Sequence, residues 1–283
     1  MRFIKYHGLG NDFIVLEPGP EAHTLLAPDS ARALCRRGFG VGADGVMTAG
    51  ASDVADLAML LVNSDGSTPE MCGNGIRCFA KFAVDVLGHT SNPLRIETPG
   101  GVKACAWRLG PDGRVAMVRV DMGSPSFERA RVPVQGGGEA LEIPVESQGR
   151  RFIATGVNTG NPHMVIFGDA DRELARRHGP DLTAHPLWPE GANVEFAEVL
   201  GPDHLRVAVW ERGCGLTEAC GTGATATVAA AVRRGHVAAG QPVTVTLPGG
   251  DLQITIAEDL HTAWMEGPAT EVYRGELSLP PMG

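Results

Sequence analysis

The sequence predicts an α/β (α+β) protein made of two homologous domains that arose by internal duplication. Three observations predict it. Four short segments recur in one order at one spacing, each copy carries a helix that is apolar on nearly every side, and each copy carries β-branched runs parted by Gly-rich turns. Gly10-Asn11-Asp12-Phe13-Ile14-Val15 recurs as Gly160-Asn161-Pro162-His163-Met164-Val165. Gly42-Ala43-Asp44 recurs as Gly191-Ala192-Asn193, and Cys72-Gly73-Asn74-Gly75 as Cys220-Gly221-Thr222-Gly223. Thr98-Pro99-Gly100-Gly101 recurs as Leu247-Pro248-Gly249-Gly250. The offsets are 150, 149, 148 and 149 residues, a period far too long for a solenoid. A chain of 283 residues is comfortable for two domains of ordinary size.

The elements follow in order. Runs 3–16 and 152–167 are apolar, β-branched and broken by Gly-Asn, which reads as strand, loop, strand. Residues 29–37 read as a helix with Asp29 or Ser30 as N-cap. Segments 55–62 and 205–210 read as buried strands. Segments 94–98 and 243–247 run into Pro-Gly-Gly turns and continue as strands at 102–108 and 252–256. The stretch 131–150, with Gly136-Gly137-Gly138, reads as turns near the join of the copies. After each Cys-Gly-x-Gly comes a helix. The first, 75–87, carries Ile76, Phe79, Ala80, Ala83, Val84 and Leu87 and stops at Gly88; the second, 223–232, is nearly all Ala, Val and Thr and stops at Arg233-Arg234-Gly235. Helices this apolar are core helices.

Composition narrows the function. The net charge is −9, and no Lys/Arg run marks a nucleic-acid face. The longest apolar stretches, 54–62 (which includes Asp56) and 223–232, fall short of the roughly 20 residues that span a bilayer. Residues 1–7 have no apolar signal core, so the expected location is cytoplasmic. Six cysteines in 283 residues make no disulfide scaffold. Lysine is scarce, at Lys5, Lys81 and Lys103, which leaves few candidates for a Schiff base.

A cysteine at a helix N-terminus meets about four unpaired N–H groups and roughly half a positive charge. The expectation is a thiol pKa lowered from about 8.5 toward neutrality, beside a ready site for a carboxylate or phosphate. Glycines on both flanks let a ligand lie against the backbone. If the two domains face each other across a cleft, one substrate carboxylate could touch both helix ends, with its α-carbon between the sulfurs. A thiolate on one side and a thiol on the other can then invert a carbon stereocentre through a carbanion, with N–H donors stabilising the growing charge. The remaining cysteines, Cys35, Cys78, Cys105 and Cys214, read as packing thiols. A zinc or redox reading lacks C-x-x-C, and Gly40-Val41-Gly42-Ala43-Asp44-Gly45 follows a helix rather than a strand, against a dinucleotide fold.

These motifs resemble the diaminopimelate epimerase family over essentially the whole chain. The marks are Gly8-Leu9-Gly10-Asn11-Asp12-Phe13, Gly40-Val41-Gly42-Ala43-Asp44, Asn63-Ser64-Asp65-Gly66-Ser67 and Met71-Cys72-Gly73-Asn74-Gly75-Ile76-Arg77-Cys78. They continue with Gly160-Asn161-Pro162-His163, Gly191-Ala192-Asn193-Val194-Glu195-Phe196, Trp210-Glu211-Arg212-Gly213, Ala219-Cys220-Gly221-Thr222-Gly223 and Gly267-Pro268-Ala269-Thr270. The resemblance implies a curled, barrel-like sheet around the buried helix of each domain and an active site in the cleft between them. It implies domains at 1–119 plus 268–283 and at 120–267, the C-terminal tail returning to the first as a strand. It implies a two-base epimerase interconverting LL- and meso-diaminopimelate on the lysine and peptidoglycan route, with no cofactor, neither pyridoxal phosphate nor metal. Cys72 and Cys220 are then the bases, with His163 and Glu211 adjusting their protonation. Gly73, Asn74, Gly221 and Thr222 hold the reacting carboxylate. Asn11, Asn63, Asn161, Asn193, Glu211 and Arg212 grip the remainder of the substrate. The implied partners are a small-molecule substrate and, through the region of Tyr273, a second copy in a homodimer, with no nucleic acid and no membrane. The sequence departs from the family at Gly45, where some members carry a Gln in the substrate pocket. The alternatives are a proline or hydroxyproline racemase-epimerase, whose motif has His where this chain has Asn74, and a non-catalytic thiol or metal-binding protein.

Overall fold

The computed structural model describes residues 1–69 and 71–277. The chain divides into two compact units, Met1–Val120 with the stretch from Gly267 onward, and Asp121–Glu266.

In the first unit, β1 (Arg2–Gly8) and β2 (Asn11–Leu16) lead through α1 (Pro20–Leu25) and α2 (Pro28–Cys35) to β3 (Gly45–Gly50) and β4 (Leu57–Asn63). The helix α3 (Gly73–Asp85) then crosses to β5 (Leu94–Thr98), β6 (Gly101–Leu109) and β7 (Val115–Gly123). The second unit repeats the plan. It runs β8 (Ile143–Ser147), β9 (Arg150–Asn158), β10 (Pro162–Phe167), α4 (Arg172–Thr183), β11 (Asn193–Gly201), β12 (His204–Glu211) and the short β13 (Gly215–Leu216). After α5 (Gly221–Arg233) come β14 (Pro242–Leu247), β15 (Gly250–Ile256) and β16 (Ala263–Pro268). The last strand, β17 (Thr270–Glu276), pairs antiparallel with β1.

Strand order is the same in both units. The first reads β17-β1-β2-β3-β4-β5-β6-β7, parallel only at β2–β3 and β4–β5. The second reads β8-β9-β10-β11-β12-β14-β15-β16, parallel only at β10–β11 and β12–β14. Parallel neighbours need a crossover, and the helices provide it. The helix α3 packs on β1, β2 and β6, while α5 packs on every strand from β9 to β15 except β13. One helix can touch strands that far apart in the order only if the sheet curls around it. Side-chain alternation assigns the faces. Met164, Ile166, Val194, Phe196 and Ala208 join Ala175 and Leu182 of α4 in one core. His163, Asn193, Glu195, Val209 and Glu211 therefore point to the α5 side. In the first unit Ile14, Leu16, Val46 and Val62 pack with Ala31 and Cys35 of α2, which turns Phe13 and Met47 toward α3.

The two central helices are buried from Gly73 through Ala83 and from Gly221 through Ala231. Phe79 and Phe82 in α3 are fully buried, each worth roughly 1.5–3 kcal/mol of transfer free energy. In α5 the small side chains let the sheet close in, and Thr225 and Thr227 satisfy their hydroxyls on the carbonyls of Gly221 and Gly223, both at 2.8 Å.

Several expectations change. The first-unit helix starts at Pro28, with Ala27 as N-cap and no side-chain cap from Asp29 or Ser30, because proline presets φ at the first helical position. Stretch 131–150 begins as turns but contains β8, joined to β9 by Gln148 and Gly149 at φ 49° and 76°, the two-residue hairpin turn that fits the strand twist. Helices α1 and α4 were not legible. Cys35, Cys78 and Cys105 are buried packing thiols, whereas Cys214 is exposed. Burial pushes the Cys35 and Cys78 thiols up to about 11 and about 12, so neither is a nucleophile at neutral pH.

Candidate active site

Each unit builds the same local device. Cys72 is the N-cap of α3 at φ −133°, ψ 104°, and its sulfur accepts the Gly75 N–H at 3.3 Å. Cys220 is the N-cap of α5 at φ −126°, ψ 111°, and its sulfur accepts the Gly223 N–H at 3.3 Å. A sulfur thus replaces the usual Ser or Asp oxygen of a cap. The first-turn N–H groups of Gly73 and Asn74, and those of Gly221 and Thr222, are directed out of the two helix ends.

Around Cys72 stand two amides and, in the next turn, the Arg77 guanidinium. Its thiol donates to Asn11 Oδ1 at 3.7 Å, and the Asn74 amide donates to the same oxygen at 3.3 Å. Asn11 is held in turn by Asp44, at 2.7 Å. Asn74 is fixed from behind by Arg77, fully buried in the next turn, which donates to Asn74 Oδ1 at 3.0 Å, Gly73 O at 3.1 Å and Pro268 O at 3.2 Å. Burial pushes the Arg77 guanidinium down to about 10, so it stays a cation at neutral pH. Gly45 has no room for a longer side chain, since a Cβ there would lie 3.0 Å from Val62 O and 3.1 Å from Leu61 Cδ1.

Around Cys220 the neighbours are ionisable. The sulfur lies 3.4 Å from Thr222 Oγ1, and the thiol hydrogen-bonds Glu211. Glu211 also accepts from Thr217 Oγ1 at 2.5 Å. His163 is fully buried, with Nδ1 2.7 Å from Glu195 Oε1 and Nε2 2.8 Å from Asn161 Oδ1. Burial, then the carboxylates of Glu211 and Glu195, raise the Cys220 thiol well above its ordinary range, against the lowering pull of Thr222 and the Gly223 N–H. This overturns the expectation of a helix end that makes the thiol acidic: desolvation outweighs a half-charge dipole when two carboxylates lie nearby. Burial likewise raises Glu211 above the usual carboxylate range, opposed by hydrogen bonds from Thr217 and Cys220.

The first unit therefore gathers Cys72, Gly73, Asn74 and Asn11. The second gathers Cys220, Gly221, Thr222, Glu211, His163 and Asn161. Three residues read from the sequence stand apart in framework contacts. Asn63 donates to Ser67 Oγ at 3.0 Å within a turn closed by Gly66 at φ 84°. Asn193 ties β10 to β12, donating to Pro162 O at 3.1 Å and accepting from the Arg212 N–H at 2.9 Å. The Arg212 guanidinium is exposed and folds onto Glu190 O at 2.6 Å. Sequence reasoning assigned no role to Glu195 or Arg77. A carboxylate and a guanidinium inside otherwise apolar runs were the signal, and the duplication sharpened it, because the matching positions of the other copy are not charged. Among the described residues, no three His, Cys, Asp or Glu side chains come together to hold a metal, and no helix is long and apolar enough to cross a membrane.

Comparison with known proteins places the chain in a family. A profile of the family "Diaminopimelate epimerase" matches residues 3–128 and 155–272. The diaminopimelate epimerase of Desulfitobacterium hafniense is 46% identical over 281 residues, 98% of each chain. That of Moorella thermoacetica is 44% identical over 281 residues, 99% of this chain and 100% of its own. Among solved structures, a hydroxyproline epimerase from Agrobacterium vitis superposes with a TM-score of 0.69 over 97% of this chain and 91% of that one, at 16% identity, a likeness of fold alone.

Proposed function

The chain belongs to the diaminopimelate epimerase family, and from that premise we infer that it interconverts LL-2,6-diaminopimelate and meso-diaminopimelate, on the route to lysine and peptidoglycan precursors, without a cofactor. The observation that carries the reading is the duplicated cap: one cysteine per unit, at matching backbone angles, each sulfur 3.3 Å from the third N–H of a buried helix.

The reaction asks both sulfurs to reach opposite faces of one α-carbon. One thiolate removes the α-hydrogen as a proton and becomes a thiol. The C–H electron pair stays on carbon and spreads into the carboxylate. The other thiol delivers its proton to the opposite face and becomes a thiolate. No proton is consumed, but the sulfurs have exchanged states, so something must return a proton before the next turnover. Glu211 suits that task at Cys220, being hydrogen-bonded to the thiol with its own carboxyl raised by burial. Cys220, raised well above its ordinary range, rests as the thiol. The N–H groups of Gly73, Asn74, Gly221 and Thr222 receive the substrate carboxylate. Asn11 and Asn161 are poised beside the sulfurs' neighbours to hold the α-amino group. Asn63, Asn193 and Arg212 grip the distal end, Arg212 by leaving the Glu190 carbonyl. Two of the three lysines are poor candidates for a pyridoxal phosphate Schiff base: Lys5 is buried against Asp12 at 2.8 Å and Lys81 against Asp85 at 2.8 Å. The reading includes a cytoplasmic enzyme and a homodimer that uses the exposed Val272 and Tyr273 surface.

The test is incubation of either isomer in deuterated water. Deuterium should enter the inverted α-carbon, detected by proton NMR and mass. Alanine in place of Cys72 or Cys220 should reduce inversion by at least ~10³-fold. Undiminished turnover in either variant refutes the role given to that thiol. Light scattering of the intact protein and of Tyr273→Arg tests the dimer.

A further inference from the structure

The buried carboxyl of Glu195 has no part in the steps above. It lies on β11, its register partner on β12 is Val209, and it is fully buried. Its Oε1 meets His163 Nδ1 at 2.7 Å. A Cβ added to Gly223, one turn into α5, would stand 2.7 Å from that same oxygen and 3.2 Å from Cys220 Sγ, so the carboxyl is packed directly beneath the helix end that carries the thiol. Its second oxygen is buried with no hydrogen-bond partner among the described residues.

Such a group is costly. A buried charge is desolvated, and an unsatisfied oxygen costs about 1–3 kcal/mol. The other copy shows that the fold does not require the expense. Met47 pairs with Leu61 in β3 and β4 just as Glu195 pairs with Val209 in β11 and β12. The repeat sets Phe13 against His163. Both Phe13 and Met47 are fully buried, so the same sheet closes on the same kind of helix over an apolar pair. The carboxyl–imidazole pair is present only where the other carboxylate, Glu211, and the high-lying thiol also stand.

We propose that Glu195 is a positioning residue for the epimerase reaction: it accepts a hydrogen bond from the Nδ1–H of His163, which fixes the ring's tautomer and plane and presents Nε2 toward Asn161 and the substrate. The imidazole is thereby locked from behind, in the way a buried acid orients a catalytic histidine. This rests on the epimerase reading given above. His163 itself touches Asn161, so Glu195 acts on substrate only through the ring.

Two variants and two readouts test it. Glu195→Gln keeps size and an acceptor but removes charge; Glu195→Met installs the residue of the other copy and removes both. The ring-nitrogen NMR spectrum of His163, assigned by its loss in His163→Phe, should show Nδ1 protonated in the parent and lose that signature in Glu195→Met. The kcat for deuterium wash-in should fall about 10²-fold in Glu195→Gln and further in Glu195→Met, with KM within about threefold of the parent. A kcat within about threefold of the parent in both folded variants overturns the proposal, and so does an Nδ1 signal unchanged in Glu195→Met. If the parent washes no deuterium into diaminopimelate, the epimerase reading fails instead, and the NMR signature alone then decides whether Glu195 sets the His163 tautomer.

Discussion

The two copies share a framework and differ beneath the thiol. Strand order, the two parallel crossovers and the sulfur cap repeat from one unit to the next. Under the first turn of α3 lies the Phe13 ring, with Cζ 3.3 Å from where a Gly75 Cβ would be; under the first turn of α5 lies the Glu195 carboxyl. Cys72 therefore sits over an apolar floor beside amides and the cationic Arg77, and Cys220 over a carboxyl beside Glu211 and His163. Duplication supplied two matching anion-binding helix ends, while later substitution made their proton chemistry unequal. A reaction that needs a base on one face and an acid on the other gains from that inequality, because identical thiols would start in the same protonation state.

The largest effect should come from removing one thiol and asking what the other still does. With Cys220→Ala or Cys72→Ala, inversion stops, yet the remaining sulfur can still remove and return hydrogen on its own face. Each variant should then exchange α-hydrogen in one isomer and leave the other untouched, the favoured isomer reversing between the variants. Deuterium NMR of LL- and meso-diaminopimelate reads this directly. Exchange of both isomers by both variants would erase the proposed division between the copies.

Next in size is the stability of the floor itself. His163→Phe leaves the Glu195 carboxylate buried without its partner and should cost about 3–5 kcal/mol in urea unfolding. His163→Phe with Glu195→Met rebuilds the apolar floor of the first copy and should recover that loss or exceed the parent, while staying poorly active. A double variant as unstable as the single one would mean that the floors are not interchangeable. Gly223→Ala should cost about 1–3 kcal/mol, since the new methyl would meet the Glu195 oxygen at 2.7 Å. In Gly75→Ala the nearest atoms are Cys72 Sγ at 3.2 Å and Phe13 Cζ at 3.3 Å, and alanine's helix propensity returns about 1 kcal/mol, so the change should be within about 1 kcal/mol. Equal losses would break the comparison.

Much of this was legible beforehand, for reasons that separate local from nonlocal information. The duplication, the two buried helices and the cysteines at their starts are written in short-range patterns: Gly-rich punctuation, and apolar side chains on every face. Helix α4 was hidden because its sequence is polar and holds Gly179-Pro180. Its glycine makes sense only against Trp210, whose Cγ would lie 2.4 Å from a Cβ there. The start of α2 moved to Pro28 because two cap candidates, Asp29 and Ser30, stood inside the turn that proline had already shaped. The Cys220 thiol was misjudged because its helix end was visible and its carboxylate neighbours, brought from β11 and β12, were not. Glu195 showed only as a lone carboxylate in an apolar run, and its role was hidden for the same reason. Only strand register reveals that it lies under a thiol rather than in solvent.

The smallest expected effect concerns the outermost strand of each unit. In the second, β8 is tied to β9 by a two-residue turn. In the first, the same place is filled by β17, more than 260 residues from β1, so closure must be held by side chains. Glu271 does this, accepting from the Tyr6 hydroxyl of β1 at 3.5 Å and pairing with Arg114 just before β7, while Arg274 of its own strand holds the carboxylate at 2.8 Å and 3.1 Å. Hydrogen bonds from Arg274, then from Arg114, outweigh burial and hold its carboxyl at about 2, below the ordinary 4.5. A depressed folded pKa stabilises the fold above pH 4.5, and that contribution is lost as pH falls toward about 2. The guanidinium side chains are 38% and 57% exposed, so screening limits the effect to about 1–2 kcal/mol. Glu271→Gln should therefore lower the urea midpoint at pH 7, and its gap from the parent should narrow below pH 4.5 and close near pH 2. Glu146→Gln on β8 is the matched control. Its ion pair with Arg151 spans 3.9 Å between side chains 60% and 90% exposed, and its loss should change the unfolding free energy by less than about 0.3 kcal/mol at any pH. A pH-independent gap for Glu271→Gln, or an equal one for Glu146→Gln, would show that the two edges close by the same means after all.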